Sequence, residues 1–374
     1  MVSEVLRLMH IVVVGGGYAG LAAIGEIQRL NTKVTLVDPV HGHELIPELP
    51  EALRLHDPIE EHIVPFADVL RDTGVEHIPD RVVSLNSQKR EVTLSQGGTV
   101  NYDWLVLTPG TVSAYPPIPG LEQHSLPLRN AHDAFRIKAR LRETKGQRVV
   151  VVGGGLTGTE VAGVLAPDHD VWLVEATPRL LPALGVGLAC YARDRLRVAG
   201  VMVMLGQKLL RVEDKTLELE HDRISYNVLV WAGGIQAPRW LRNTDLPLDE
   251  KGYPRADDRG RITDRIFAAG DVWRVQTDGQ EVPQTAQLAS MAGRYVGENV
   301  IRAIRGEPLA PPFHPSLKGM LISLDPGVGV GWVLRGGIPV RGGSARTLKA
   351  LSFRQYRLKL SRVFGRGWPF LSMG

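Results

Sequence analysis

The apolar residues of this chain fall into short continuous runs that alternate with segments of helical spacing. Valine-rich runs cover residues 10–14 and 33–37, and a second pair covers residues 147–152 and 170–174. Such runs, without alternation of polar and apolar positions, are typical of strands buried on both faces of a parallel sheet. A segment with helical spacing lies between the members of each pair. The pattern predicts two βαβ units and an α/β fold.

Each βαβ unit has a glycine-rich motif where its first strand meets its helix. In the first unit Gly15, Gly17 and Gly20 form G-x-G-x-x-G, and Asp38 ends the second strand. The first glycine permits a tight turn, the second leaves space for a pyrophosphate, and the third lets helix and strand pack closely. The phosphates would face the free N–H groups of the helix, and the acid would bind a ribose diol. This context predicts a dinucleotide site.

The second unit repeats the motif at residues 153–158, and Glu175 ends its second strand. Two complete motifs predict two dinucleotides, or one large donor and one large acceptor. The carboxylate of Glu175 suits the free ribose diol of NADH and repels the 2′-phosphate of NADPH, although the nearby Arg179 leaves NADPH open. Glu160 lies just inside the second helix and has two interpretations. It complements the helix dipole, or it points towards the nicotinamide, and spacing alone does not choose between them.

Composition narrows the chemistry and the compartment. Cys190 is the one cysteine of the chain, so no internal disulfide and no redox-active cysteine pair can form. We expect it to be a small buried hydrophobe, and a reducing, cytoplasmic compartment fits. The first strand pattern begins near Leu8, which leaves no room for a signal peptide. No uninterrupted apolar run approaches the roughly 20 residues that span a bilayer.

The charge of the chain is distributed unevenly. Residues 326–374 contain no Asp or Glu but nine basic residues, and subtracting these from the net charge of +4 leaves −5 for residues 1–325. The nine are Arg335, Arg341, Arg346, Lys349, Arg354, Arg357, Lys359, Arg362 and Arg366. The basic character therefore belongs to the C-terminal region, and it indicates an acidic partner such as an anionic membrane surface or nucleic acid.

Four segments, in order along the chain, resemble those of a known superfamily. They are the glycine motif at residues 15–20, a strand and turn at 102–111, Leu-Val-Trp-Ala-Gly-Gly at 229–234, and Arg-Ile-Phe-Ala-Ala-Gly-Asp at 265–271. Together they resemble the flavoproteins with two dinucleotide-binding domains, which include disulfide, ferredoxin and quinone reductases. The resemblance covers roughly residues 8–305.

Within that superfamily the chain most resembles the type II NADH:quinone oxidoreductases. Residues 153–160 are similar to their nicotinamide loop, whose glutamate lies close to flavin and nicotinamide. Residues 283–289 resemble their motif at the quinone side of the flavin, although Met291 stands where that pattern usually has a further Gln. Disulfide reductases and sulfide:quinone reductases need redox cysteines, so the cysteine content argues against them.

The resemblance implies a nested architecture of two Rossmann-like domains. An FAD-binding domain would consist of residues 1–112 and 252–312, with an NADH-binding domain of residues 113–251 inserted between the two segments. A C-terminal region of residues 313–374 would follow. The inserted domain and the discontinuous one would each contain one of the two glycine motifs.

The resemblance also implies the site residues. The FAD contacts would be Gly15, Gly17, Tyr18, Ala19, Gly20, Asp38, Thr108, Gly110, Asp271, Ala286 and Gln287. The NADH contacts would be Gly153, Gly155, Thr157, Gly158, Glu160, Glu175, Gly233 and Gly234. Glu160 and Gln287 would be catalytic. No metal site is expected, because the histidines after the first unit form no closed ligand set, and a substrate-side role for His43 and Glu44 stays open.

The implied activity is transfer of hydride from NADH to FAD and then of two electrons to a membrane quinone, without proton pumping. Two alternatives stay open. One is a soluble NADH-dependent reductase of a small redox protein such as a ferredoxin or rubredoxin. The other is an NADH-sensing flavoprotein of the apoptosis-inducing-factor kind, whose basic tail would bind nucleic acid. A homodimer also stays open.

The C-terminal region predicts a basic amphipathic helix over residues 344–364. One face would present Phe353, Tyr356, Leu360, Val363 and Phe364, and the other side would present Arg354, Arg357, Ser361 and Arg362. Such a helix, followed by aromatic residues, favours peripheral attachment to an anionic membrane, here at the cytoplasmic face. The alternatives are packing on the body of the protein or on a dimer partner, and contact with nucleic acid.

Overall fold

The computed structural model describes residues 9–141, 144–277, 279–334 and 337–364, with side chains up to Leu360. Its helices are numbered here in chain order. They are α1 Tyr18–Ile27, α2 Leu49–Ala52, α3 Phe66–Val69, α4 Leu121–His124, α5 Ala131–Leu141, α6 Leu156–Leu165, α7 Val186–Val198, α8 Ala286–Ile304 and α9 Gly342–Phe364. Short 3₁₀ turns cover Ile46–Glu48, Ile59–His62, Arg239–Asn243 and Gly270–Val272.

Two sheets form the centres of the molecule, the second parallel throughout and the first parallel except for its edge strand Arg261–Thr263. The first has the spatial order Arg261–Thr263, Ile266–Ala268, Trp104–Leu107, His10–Val14, Lys33–Val37 and Glu76–Ile78. The second has the order Leu126–Pro127, Val228–Trp231, Arg148–Val152, Asp170–Glu175 and Met202–Leu205. Each valine run lies inside its sheet and pairs in parallel on both sides. The predicted α/β fold with two Rossmann-like units is confirmed.

The first sheet is discontinuous in sequence. Its strand Ile266–Ala268 pairs in parallel with Trp104–Leu107, and every strand of the second sheet lies between these two along the chain. The two connections between the sheets run side by side, because Val112–Ser113 pairs antiparallel with Ile235–Gln236. The second unit is therefore nested within the first, while the domain bounds given above stay predictions.

Smaller sheets complete the described structure. Three have three strands: Val82–Asn86, Glu91–Leu94 and Thr99–Asn101; Leu209–Glu213, Thr216–Leu219 and Arg223–Ser225; and Gly319–Asp325, Val328–Val333 and Ile338–Arg341. Gly42–Glu44 pairs with Ile63–Pro65, and Gln276–Thr277 pairs with Gln280–Glu281. The last three-stranded sheet leads directly into α9 and forms the C-terminal region with it.

The C-terminal region packs against the second unit at very short range. A Cβ at Gly163 of α6 would lie 1.9 Å from the carbonyl oxygen of Leu324, so only glycine allows this approach. Ala345 of α9 is fully buried. The predicted helix over residues 344–364 is present as α9. Among the described residues, no helix is both long and apolar enough to cross a membrane.

Candidate active site

The first glycine loop is shaped by contacts with the neighbouring strand end. Gly15 has a φ of +102°, and a Cβ there would lie 2.2 Å from the carbonyl oxygen of Thr108. A Cβ at Gly20 would lie 1.9 Å from the carbonyl oxygen of Gly15, which keeps α1 close to the strand. By contrast, a Cβ at Gly17 would meet no atom within 4 Å. The loop is therefore tight on two sides and open at Gly17, as a pyrophosphate site requires.

The second glycine loop repeats this geometry. Gly153 has a φ of +116°, and a Cβ there would lie 2.5 Å from the carbonyl oxygen of Ala232. A Cβ at Gly158 would lie 1.9 Å from the carbonyl oxygen of Gly153, while Gly155 again faces open space. Both loops thus have the shape that a bound dinucleotide needs, and the fit is equally good in each.

Each acid predicted to bind ribose is hydrogen-bonded to the second residue of its glycine loop, which is Gly16 in the first loop and Gly154 in the second. Asp38 Oδ2 accepts a hydrogen bond of 2.6 Å from the N–H of Gly16, and Glu175 Oε2 accepts one of 2.5 Å from the N–H of Gly154. Burial raises the pKa of Asp38, although hydrogen bonds from Gly16 and from Val40 oppose the shift. A carboxylate has roughly four acceptor positions. Each acid can therefore orient its loop and bind a ribose diol.

The chain crossings supply further predicted residues. Thr108 is buried, and its hydroxyl oxygen lies 2.8 Å from the carbonyl oxygen of Gly15 and 3.0 Å from that of Val14, which share its one donated proton. This contact ties the strand end to the first loop. Gly110, Gly233 and Gly234 have no such burial. A Cβ at Gly233 would overlap the ring of Trp231, whose indole N–H donates to the carbonyl oxygen of Ala114 at 2.8 Å.

Asp271 is the predicted flavin-binding acid at the end of the returning strand. Burial raises its pKa, and the guanidinium of Arg129, 3.7 Å away, opposes the shift. Arg129 also donates to the hydroxyl of Thr111 at 2.8 Å, and the amide of Gln284 donates to the carbonyl oxygen of Asp271 at 2.7 Å. Neither Arg129 nor Gln284 was among the predicted site residues. Arg129 belongs to no recognisable motif, whereas Gln284 lies within the segment 283–289 that resembles the family's motif.

Helix α8 begins at Ala286, next to this acid. The hydroxyl of Thr285 caps its N-terminus by accepting a hydrogen bond from the N–H of Leu288 at 3.1 Å. The side-chain oxygen of Gln287 accepts a hydrogen bond of 2.8 Å from the N–H of Lys318, which joins the helix to the C-terminal region. Met291, one turn further on, is half-buried.

Glu160 is buried and faces the C-terminal region. Its Oε1 accepts a hydrogen bond from the N–H of Ser323 at 2.7 Å and a second one from the ammonium of Lys349. Burial raises the pKa of Glu160, and Lys349 opposes the shift. Glu51 lies 3.6 Å from the same ammonium and accepts a hydrogen bond from the hydroxyl of Ser323 at 2.9 Å. A carboxylate one turn from the second loop is thus part of a buried ion-pair network.

The environment of α9 corrects part of the prediction for the tail. Arg346 pairs with Glu51 at 2.6 Å, and Arg357 pairs with Glu48 at 2.6 Å. Together with Lys349, three of the basic residues whose side chains are described in this region thus have acidic partners inside the protein. The expectation that Arg357 faces outward is wrong, because Arg357 binds Glu48. The sequence pattern does not show this contact, since the two residues are distant along the chain.

The apolar side of the same helix is also largely occupied. Tyr356 and Leu360, predicted for a membrane-facing side, pack against the first unit. The side chains of residues 361–364 and all of residues 365–374, with their aromatic residues, lie outside the described residues. One further correction is smaller, since Cys190 is half-buried rather than buried. His62 of the histidine cluster pairs with Glu48 and Asp57.

His43 and Glu44 lie on the strand Gly42–Glu44, beside the first loop. Burial lowers the pKa of His43 to about 4, and its ring bonds to the carbonyl oxygen of Gly16 at 3.1 Å and to the hydroxyl of Tyr356 at 2.9 Å. Burial raises the pKa of Glu44 to about 7, and its carboxylate accepts a hydrogen bond of 3.2 Å from the N–H of Ala131. Their substrate-side role stays a prediction.

Comparison with known proteins settles the family. The pyridine nucleotide-disulphide oxidoreductase family matches residues 9–293, which is more than half of the chain. The chain belongs to this family. Membership confirms the predicted recognition of a two-dinucleotide flavoprotein and the predicted cofactors, FAD and NADH. It also makes the chain an oxidoreductase, although the disulphide chemistry in the family name has no cysteine pair to support it here.

Individual relatives agree with this assignment. An NADH dehydrogenase-like protein of Mycobacterium tuberculosis is 29% identical over 329 residues, which cover 81% of this chain and 82% of that protein. A type II NADH:quinone oxidoreductase of Staphylococcus aureus is 26% identical over 91% of this chain and 92% of its own length. The structure of NDH2 from Plasmodium falciparum in complex with NADH is similar in fold, with a TM-score of 0.80, 16% identity and coverage of 96% and 98%.

Proposed function

We propose that this oxidoreductase is a type II NADH:quinone oxidoreductase that transfers two electrons from NADH to a membrane quinone without pumping protons. The observation that carries the proposal is the placement of the C-terminal region. Its Lys318 contacts Gln287, and its Lys349 contacts Glu160. Gln287 and Glu160 are the two residues assigned to catalysis. The similarity to the staphylococcal enzyme extends over 91% of the chain, beyond the part that the family itself matches.

The protein contributes binding and electrostatics to this reaction. FAD, when bound, supplies the redox chemistry between NADH and the acceptor. Gln284, just before the N-terminus of α8, donates a hydrogen bond to the carbonyl oxygen of Asp271. Burial raises the pKa of the Asp271 carboxyl group, which can bind a hydrogen-bond donor or acceptor of the cofactor at this place. We assign Gln287 to the quinone side because its amide lies between α8 and the C-terminal region. Met291 then contributes an apolar surface next to it.

We assign Glu160 to positioning the nicotinamide or moving a proton in the NADH half-reaction. The carboxylate lies on the first turns of α6, directly after the loop that is open for the second dinucleotide. Glu160→Gln keeps the size of the side chain and removes the charge. We expect slower reduction of the bound flavin by NADH in rapid mixing, with Glu122→Gln, at an exposed position, as the matched control. An unchanged reduction rate would refute the role.

We place the enzyme at a membrane surface, at its cytoplasmic face. The outward side of α9 presents Leu348, 37% exposed, and Leu351, 53% exposed, near the exposed Arg354 and Lys359. Each basic residue near an anionic surface contributes about 1 kcal/mol of attraction. Sedimentation with vesicles of anionic or of zwitterionic lipid tests this placement. Weaker binding of Leu351→Ser than of wild type to anionic vesicles supports the placement. Equal binding of wild type and Leu351→Ser contradicts it.

The acceptor is tested by activity. NADH oxidation by the purified flavoprotein should be fast with a short-chain quinone, slow with NADPH as donor, and slow with a ferredoxin or rubredoxin as acceptor. Fast turnover with the small redox protein and slow turnover with quinone would replace the proposal by the soluble-reductase alternative. Flavin reduction by NADH without turnover on either acceptor would favour the sensor alternative, and Met291 would be the first residue to change.

A further inference from the structure

The carbonyl oxygen of Gly16, the second residue of the first glycine loop, is hydrogen-bonded to a residue that belongs to no nucleotide-binding motif. Gly16 donates its N–H to Asp38, and its carbonyl oxygen lies 3.1 Å from Nδ1 of His43. A carbonyl only accepts, so Nδ1 carries the proton and donates. Nε2 of the same ring is then the acceptor for the hydroxyl of Tyr356, 2.9 Å away. The directions of both hydrogen bonds, and the tautomer of the ring, follow from this one constraint.

The environment keeps His43 in that single form. The side chain is buried, and burial lowers its pKa to about 4, so the ring is neutral under ordinary conditions. A protonated ring would have two donors and no acceptor for the hydroxyl of Tyr356. Tyr356 is itself half-buried, and burial raises its pKa well above the ordinary value, so its hydroxyl keeps the proton that it donates. The chain from hydroxyl to ring to carbonyl is complete in one protonation state.

Aromatic contacts fix the other side of the same loop. Tyr18 begins helix α1, whose first N–H groups point towards the open space beside Gly17. Its ring centroid lies 4.7 Å from that of His43 and 4.6 Å from that of Tyr356. Aromatic pairs at such separations stabilise beyond their buried area. Gly16 and Tyr18, the residues on either side of the pyrophosphate gap, are therefore both held by His43 and Tyr356.

We propose that His43 and Tyr356 are positioning residues for FAD, and that helix α9 holds the phosphate-binding loop in its binding shape through Tyr356, His43 and Gly16. The C-terminal helix is then part of the flavin site, although it lies 313 positions from His43 in sequence. The proposal does not depend on the identity of the electron acceptor, because it concerns retention of the cofactor. It adds to the proposed function a reason why FAD stays bound while NADH exchanges.

The test measures flavin affinity rather than activity. Tyr356→Phe removes one hydroxyl and keeps the ring, and His43→Leu removes both hydrogen bonds. Flavin release from the purified holoenzymes on dilution, followed by flavin fluorescence, gives the dissociation constant of FAD. We expect an increase of roughly two- to tenfold for Tyr356→Phe, the usual effect of one lost hydrogen bond, and a larger increase for His43→Leu. Gln355→Ala, at an exposed neighbouring position of α9, should change nothing.

A conservative variant and a double variant separate positioning from general stability. His43→Asn offers an amide N–H near the place of Nδ1, so it should recover most of the affinity that His43→Leu loses. If the residues act as one chain, adding Tyr356→Phe to His43→Leu should weaken FAD binding no further. The dissociation constant of NADH should stay constant throughout. Equal FAD affinity in wild type, Tyr356→Phe and His43→Leu would overturn the proposal, and so would lowered thermal stability with unchanged FAD affinity.

Discussion

The two glycine loops of this chain have the same shape but are held by different parts of the molecule. In both, a left-handed first glycine, an open second glycine and a third glycine against the first carbonyl build the same cradle. In the second loop the carbonyl of Gly154 accepts hydrogen bonds from the N–H of Leu181 and the hydroxyl of Thr159, both within the same unit. In the first loop the equivalent carbonyl bonds to His43, and through it to α9.

This difference matches the different tasks that the proposed function gives to the two sites. NADH must bind and leave in every cycle, so a loop held by its own unit is sufficient. FAD has to remain bound, and we have proposed that the contacts from the distant helix α9 hold its loop in the binding shape. The same helix reaches the second unit through Lys349 and Glu160, but there it contacts a carboxylate after the loop rather than the loop itself. The C-terminal region is thus joined differently to the two sites.

The largest expected effect comes from closing each open space in turn. Gly17 and Gly155 have ordinary φ values of −72° and −74°, and a Cβ at either meets no protein atom. Alanine there should leave folding intact and obstruct the phosphates, weakening binding by about 10- to 100-fold. Gly17→Ala should purify with little flavin, whereas Gly155→Ala should keep its flavin and lose affinity for NADH. Loss of both cofactors in either variant would contradict the separate assignment of the loops.

A second prediction concerns the buried pair at the second unit. The Lys349 side chain is only 4% exposed, and removing it leaves Glu160 and Glu51 without their shared cation. Breaking such a pair typically costs about 3–5 kcal/mol, so Lys349→Met should lower the free energy of unfolding by that order in urea titrations. Adding Glu160→Gln should restore part of the loss. The control is Lys359→Met at an exposed position of the same helix, and an equal loss there would count against the network.

A third prediction uses the matched acids. Glu175 holds Gly154 through Oε2 and the N–H of Thr177 through Oε1 at 2.7 Å, and it is expected to bind the ribose of NADH. Glu175→Ser removes the charge that repels a 2′-phosphate. The ratio of kcat/KM for NADPH to that for NADH should rise about tenfold, and Arg179→Ala in the same background should reverse part of the gain. FAD content should not change, since Asp38 is the acid that holds the other loop.

The smallest expected effect is a pH dependence of the stability that His62 contributes. His62 pairs with Glu48, which also binds Arg357 and so attaches α9 to the first unit. Glu48 and Asp57 raise the pKa of His62 against the opposing effect of burial. A raised folded-state pKa means that the stabilisation is fully present below the unfolded value of about 6.5 and is lost as the pH rises through the folded value. The difference in free energy of unfolding between wild type and His62→Gln should therefore be larger at about pH 5.5 than at about pH 8.5. A difference independent of pH would contradict this attachment.

The features that the sequence predicts are those encoded by local patterns. The strand runs, the two glycine motifs and the acids Asp38 and Glu175 all follow from spacing within about 25 residues, and so does α9. The contacts that tie the molecule together are not local. Tyr356 with His43 and Arg357 with Glu48 join positions 313 and 309 apart. Periodicity in the sequence does not indicate such distant pairs. The basic C-terminal region therefore predicts an acidic partner outside the protein, whereas several of its acidic partners lie within it.

The most direct test of the central claim is anaerobic rapid mixing of the purified flavoprotein with NADH, followed by mixing with a short-chain quinone. NADH should bleach the flavin absorbance and quinone should restore it, each within the time of one turnover, and Gly155→Ala should be slow only in the first step. Bleaching by NADH that quinone does not reverse would contradict the assignment of the acceptor. Absence of bleaching in a protein that contains FAD would contradict the assignment of the second loop to NADH.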